Sequence, residues 1–316
     1  MNNSKIIHWS GIREAGTLIG LRFLWLMHRI LGRWMVSFML FPTVAYFLLF
    51  KPQIRRSSYQ FLQAHYEYFP DFWQQRPNYK NVARHFWEFA ESVVDKLMSW
   101  VLEIDAEQFE IVDEDYLESL MADERGRLII GSHFGNLESC RGFVHRYRDK
   151  VINILIHDKH SQNYNTLMKQ LNPESRVNIF QVSDFDVQTM LRIKAKIDQG
   201  EWIFIAGDRS PPSGAKRTVS VNFMGRKASL PIGPYMLAKA LACPVDLIFS
   251  SFEHTSTKQK VRVELIKFSE KIEIDRIGRE QHLQQYAQRY ALELEKQCAR
   301  TPYQWFNFYH FWDEAD

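Results

Sequence analysis

The chain has 316 residues, 46% of them hydrophobic and 24% charged, which supports one large cored domain, or such a domain with a smaller appendage, and excludes a disordered polymer. A net charge of only +3 excludes the broad basic field of a nucleic-acid binder. Cys140, Cys243 and Cys298 lie far apart, which excludes a zinc spacing and a complete disulfide set, so buried free thiols in a reducing compartment are expected.

Residues 1–12 mix polar and charged groups without a compact apolar stretch, so no secretory signal is read there. A first zone, 11–51, is densely apolar and ends in the uncharged run 34–50, which has Arg33 before it and Lys51, Arg55 and Arg56 after it. Its length is at the lower edge of a membrane span, and Pro42 would kink it. A short span or re-entrant hairpin, a helix lying in the interface and a buried core helix all fit; Trp25, Trp34 and the basic flanks favour membrane contact.

The second zone, 57–107, reads as helical, and Phe86, Phe89, Val93 and Leu97 recur at helical spacing as core positions. From residue 127 onward, β-rich runs alternate with helical patterns. Strands are predicted at 128–131, 151–156, 202–206, 219–221, 245–250 and 261–266. Helices are predicted at 137–147, 162–171, 187–199, 233–241 and 277–299. Such alternation predicts an α/β fold with a mainly parallel central sheet flanked by helices.

Two strand ends carry chemistry. The apolar run 128–130 leads into Gly131, Ser132 and His133, and Gly135 and Asn136 then open a helix with Glu138 in its first turn. Strand ends are where α/β folds place functional groups. Imidazole accepts protons near neutral pH, and a carboxylate on its far nitrogen selects the tautomer. Spacing alone also fits a helix start at which Glu138 complements the dipole and His133 is a packed loop residue.

The run 203–206 ends likewise in Gly207, Asp208 and Arg209. Arg209 could fork onto a phosphate or stabilise an oxyanion, with Asp208 orienting Arg209 or a neighbouring turn. Lys216, Arg217, Arg226 and Lys227 suit an anionic headgroup or acidic carrier, and equally a solvated loop. Pro231, Gly233 and Pro234 define a turn before a helix whose start could bind an anion or could simply shape the core. Seven aromatics between Tyr303 and Trp312 fit either an acyl-chain or membrane contact or a lid over the core. His157 and His160 have no third ligand in register, so no metal is expected.

Together these blocks resemble the late lipid A acyltransferase branch of the lysophospholipid acyltransferase superfamily. His133-Phe-Gly-Asn-Leu-Glu138 is similar to its HX4(D/E) motif. Gly207-Asp208-Arg209, Val221-Asn-Phe-Met-Gly225 and Pro231-Ile-Gly233-Pro234 resemble its second and third blocks, and Pro302-Tyr-Gln-Trp305 resembles its C-terminal element. Gly-Asp-Arg and Trp305-Phe-Asn-Phe-Tyr look closest to a bacterial sub-branch associated with aryl polyene-type biosynthesis.

The resemblance implies a glycerol-3-phosphate/lysophospholipid acyltransferase-like fold with a membrane-associated helical segment at 1–56 and a catalytic domain at 57–316, divided into a helical lead-in at 57–120 and an α/β core at 121–316. It implies transfer from an acyl carrier protein thioester, or acyl-CoA, to a hydroxyl of a lipid or glycolipid. It further implies no metal or organic cofactor, no nucleic-acid partner and a place on the cytoplasmic face of a bacterial inner membrane. His133 would be the base and Glu138 its partner. Arg209, Asp208, Asn136, Gly225, Arg226, Pro231 and Gly233 would bind substrate. A thioesterase or a non-catalytic lipid-binding protein on the same scaffold are the rival readings.

Overall fold

The computed structural model describes Leu26, Ile30 and residues 33–101, 109–135, 150–156, 177–181, 186–209, 217–254 and 259–312. Among the elements described from end to end, three helices lead: α1 (Arg33–Phe50), α2 (Pro52–Tyr68) and α3 (Tyr79–Val101). Helix α1 turns into α2 at Lys51, with Pro52 supplying the preset φ of a helix start. The boundary expected at residue 56 therefore falls inside α2. Among the described residues no helix is long and apolar enough to cross a membrane.

Helix α3 buries Val82, Phe86 and Val94, while Phe89 and Val93 are more than a third exposed. The stripe expected through Phe86, Phe89 and Val93 is thus rotated toward Val82 and Val94. Phe89 instead meets Phe306 and Phe308 edge-on, with ring centres 5.3 and 5.2 Å away.

The sheet begins earlier than expected, at β1 (Phe109–Ile111), followed by α4 (Glu114–Ala122). Asp113 caps α4 by accepting the Tyr116 N–H, and Glu114 and Asp115 complement its dipole. The further elements are β2 (Arg127–Gly131), β3 (Ile152–Ile156), β4 (Val177–Gln181), α5 (Val187–Asp198), β5 (Trp202–Ala206), β6 (Thr218–Phe223), β7 (Arg226–Pro231), α6 (Gly233–Leu241), β8 (Val245–His254), β9 (Gln259–Ser269) and α7 (Arg279–Arg300). The helices expected at 137–147 and 162–171 lie outside the described residues, as does Cys140. Cys243 and Cys298 are free and buried.

Among the described residues, seven strands form one sheet in the order β1-β9-β8-β2-β5-β3-β4. All neighbours are parallel except the β8–β9 hairpin. Strand β2 is central, and Leu128, Ile129 and Ile130 are fully buried. That explains its unbroken apolar run, since a parallel strand covered on both faces has no polar side. At its first residue, buried Arg127 bridges Asp246 at 2.5 Å and Asp123 at 2.7 Å, and Tyr116 also donates to Asp246.

The strand expected at 219–221 is real but lies outside this sheet, in an antiparallel hairpin with β7. Met224 and Gly225 both have positive φ at its tip, the geometry of a two-residue turn that follows strand twist. Strand β6 packs on α7.

Two buried histidines tie the lead helices to the chain's end. His85 Nε2 donates to the Trp305 carbonyl at 2.9 Å, which leaves Nδ1 to accept from the Ser58 hydroxyl at 2.9 Å. His65 Nε2 donates to the Cys298 carbonyl at 2.9 Å, and its Nδ1 accepts from Trp73 Nε1 at 2.8 Å. Both rings are neutral with every polar atom satisfied. Burial lowers each pKa to about 4, against opposing bonds to the Cys298 and Trp305 carbonyls.

A histidine whose folded pKa lies below its unfolded value favours folding above the unfolded value, near 6.5, and loses that contribution as pH falls toward about 4. Each unit of displacement corresponds to about 1.4 kcal/mol. The melting temperature should therefore fall steeply between pH 6.5 and 4. His85→Gln should melt lower at pH 7 and show a shallower decline, as scanning calorimetry across that range will measure.

Candidate functional site

Parallel pairing of β2 with β5 sets Gly131 opposite Ala206. The two chains leave the sheet side by side, and the Gly207 N–H bonds the Gly131 carbonyl at 2.9 Å. A Cβ on Gly207 would sit 2.7 Å from the Ile130 side chain and 3.2 Å from the Tyr290 ring. Glycine thus allows the close approach of the two strand ends. Two residues beyond the paired positions stand His133 and Asp208.

Their side chains bond directly. His133 Nδ1 lies 2.8 Å from Asp208 Oδ1, and the His133 backbone N–H donates to Oδ2 at 2.9 Å. Trp305 Nε1 also donates to Oδ2, at 3.2 Å, and the Tyr309 hydroxyl donates to the Asp208 backbone carbonyl at 3.1 Å. The Asp208 side chain is 2% exposed and that of His133 is 37% exposed. Burial pushes the carboxyl upward, but the charge and hydrogen bonds of His133 and the charge of Arg209 outweigh it and lower the pKa to about 2. An ionised carboxylate only accepts, so Nδ1 carries the proton and, in the neutral ring, Nε2 carries the lone pair.

The C-terminal segment closes over this pair. Trp305 bridges Phe134 in antiparallel fashion, with Gly135 N–H to the Gln304 carbonyl at 2.7 Å and Phe306 N–H to the His133 carbonyl at 2.9 Å. Arg209 Nη2 donates to the Phe306 carbonyl at 3.1 Å. The Gln304 side chain takes both backbone groups of Phe252 at 2.8 Å, fixing the segment to β8. Gly135 is at φ 58°, and a Cβ there would fall 1.7 Å from the Ser250 carbonyl oxygen. Of the two readings of the terminal aromatics, the lid is the one observed, because Trp305, Phe306, Phe311 and Trp312 are buried.

The structure thus joins His133, Asp208 and Arg209 around one segment. Asp208 was read as orienting Arg209 or a turn, whereas its carboxylate holds the His133 ring; strand register, invisible to local spacing, makes the difference. Glu138 and Asn136 lie outside the described residues. Gly225 and Arg226 sit at the β6–β7 turn, where Arg226 pairs with Glu67 at 2.5 Å and lies over the Trp312 ring. Pro231 ends β7 and Gly233 begins α6. Trp305, Tyr309 and Gln304 were not singled out as site residues. The available signal was chemical: a buried indole or phenol needs a hydrogen-bond partner.

A family model described as bacterial lipid A biosynthesis acyltransferase matches residues 12–313. Among curated proteins, no significant match was found.

Two substitutions probe this geometry. Asp208→Asn should lower the turnover number by roughly 10²- to 10⁴-fold with little change in KM, since it removes the charge that selects and stabilises the ring's protonation. Gly135→Ala should give little folded protein, measured by soluble yield and near-ultraviolet circular dichroism, because β8 backbone occupies the space its methyl needs.

Proposed function

Since the chain belongs to the bacterial lipid A biosynthesis acyltransferase family, and is an acyltransferase acting between an acyl donor and a lipid acceptor, we propose that His133 is the general base of direct transfer from a thioester to a lipid or glycolipid hydroxyl. The observation that carries the reading is the half-exposed imidazole at the end of β2, held through Nδ1 by buried Asp208. His133 Nε2 takes the hydroxyl proton as that oxygen attacks the thioester carbonyl. The tetrahedral intermediate then expels the thiolate, which recovers the proton from the ring. Asp208 stabilises the transient imidazolium, and Arg209, its chain neighbour, is assigned to the oxyanion. Glu138, the acid of the motif, is proposed as a second carboxylate serving the same step.

We assign the donor as an acyl carrier protein thioester on the strength of the sequence resemblance, with acyl-CoA as the alternative that the assay compares. An acceptor in aryl polyene-type lipid assembly is the finer proposal.

Membrane attachment is assigned to α1 on the cytoplasmic face of the inner membrane. Phe38, Phe41, Leu49 and Phe50 are each about two-thirds exposed or more. A helix that is apolar on its outward face, with Lys51, Arg55 and Arg56 just beyond, suits burial in the headgroup boundary. An apolar cleft of about 400 Å³ between α1 and α3, lined by Phe41, Val44, Leu48 and Trp87, adjoins that strip and suits lipid tails.

His133→Ala should lose about 10²- to 10⁴-fold in rate without loss of folding. The measurement is transfer of a labelled acyl chain from carrier protein or CoA to extracted lipids, with Glu138→Gln beside it. Near-wild-type transfer by His133→Ala would end the proposal, and free fatty acid without acylated lipid would make the protein a thioesterase. Lipid profiles of a deletion strain, with and without the wild-type protein, identify the acceptor.

A further inference from the structure

The Asp208 carboxylate is held from three directions, and one of them comes from the far end of the chain. Oδ1 serves the His133 ring, while Oδ2 takes the His133 backbone N–H and the Trp305 indole N–H. A carboxylate's terminal torsion is broad and nearly two-fold, so the two bonds from the single residue His133 leave it room to rock together with that residue. Two donors on Oδ2 from separate segments stop that rotation and keep Oδ1 on Nδ1.

Trp305 is itself immobilised. Its ring is fully buried, with the rings of Phe61, Phe223 and Phe311 centred 5.0, 5.0 and 4.8 Å away. Its carbonyl accepts from His85, whose other nitrogen is anchored on Ser58. The lead helices, the β6–β7 hairpin and the terminal segment therefore converge on one N–H.

We propose that Trp305 is a positioning residue for acyl transfer, acting through Asp208: its indole N–H fixes the carboxylate's rotation and thereby the orientation and basicity of the His133 ring. This rests on His133 being the base. The indole acts on the carboxylate, its N–H donating to Asp208 Oδ2. By drawing charge from the carboxylate it also tempers the Asp208–His133 bond, so removing it strengthens the carboxylate's pull on the imidazolium and raises the ring's pKa.

Charged or titratable neighbours of the pair among the described residues include Arg209, Tyr290, Tyr309, His85 and Cys298, whose thiol is pushed well up by burial. Burial raises both tyrosines and lowers His85 to about 4. The ring of His133, which shares the carboxylate with the indole, is therefore the group whose protonation the indole is placed to feel.

The test compares wild type, Trp305→Phe, Asp208→Asn and the double variant by acyl-transfer kinetics and by nitrogen-15 NMR of histidine and indole resonances between pH 5 and 9. Trp305→Phe should lower the turnover number roughly 10- to 100-fold with little change in KM. It should also move the His133 titration upward by about half a unit or more. In the Asp208→Asn background the same change should cost less than about twofold, because the two act as one unit.

In the wild-type protein the Trp305 indole proton should track the His133 titration, a readout that survives even if Trp305→Phe folds poorly. An indole signal indifferent to that titration, or equal losses from Trp305→Phe in both backgrounds, overturns the proposal and leaves the residue a packing element. Failure of the underlying reading looks different: His133→Ala would retain transfer, whatever the indole reports.

Discussion

The parallel register that sets Gly131 beside Ala206 is the constraint on which the site depends. Both strands end at the same level, β5 continues through Gly207, which permits close approach, and the two side chains that matter each follow by two positions. A slip of one residue in this pairing would turn every side chain of β2 to the other face and part the imidazole from its carboxylate. The buried run of Leu128, Ile129 and Ile130 locks that register, as does the Arg127–Asp246 ion pair at the other end of β2. Core packing and site geometry are thus set by the same strand.

A second layer of order comes from the chain's end. After α7 the segment from Gln304 to Trp312 runs back across the sheet's working edge. There it supplies backbone partners to His133 and Gly135, an indole to Asp208, a hydroxyl to its carbonyl and a carbonyl to Arg209. Its aromatic rings fill the space between the lead helices and the β6–β7 hairpin. Each buried polar atom of these rings finds a partner, as a low-dielectric interior requires; Trp312, for example, donates to the Phe223 carbonyl at 3.0 Å.

The lead helices serve two environments. Inward, α2 and α3 contribute neutral, fully bonded histidines that grip the terminal segment and α7. Outward, α1 leaves Phe38, Phe41, Leu49 and Phe50 uncovered, an arrangement favourable where the surrounding medium is lipid. The candidate site and the apolar strip are thereby linked through one continuous set of contacts, from α1 against α3 and from His85 to Trp305.

From sequence alone, the alternation of apolar strands and helices determined the α/β class, since the period of each segment follows from which faces must be buried. The block from His133 to Glu138 and the one at Gly207 carried the resemblance to the acyltransferase family to which the chain belongs. Local pattern identified 219–221 as a strand, yet nothing in an alternating run distinguishes a central strand from one half of a separate hairpin. Nor could spacing reveal that Asp208, 75 residues along the chain, holds the ring, or that Trp305 completes the carboxylate's shell. Those pairings are products of strand order and register, which arise only when distant segments pack against one another.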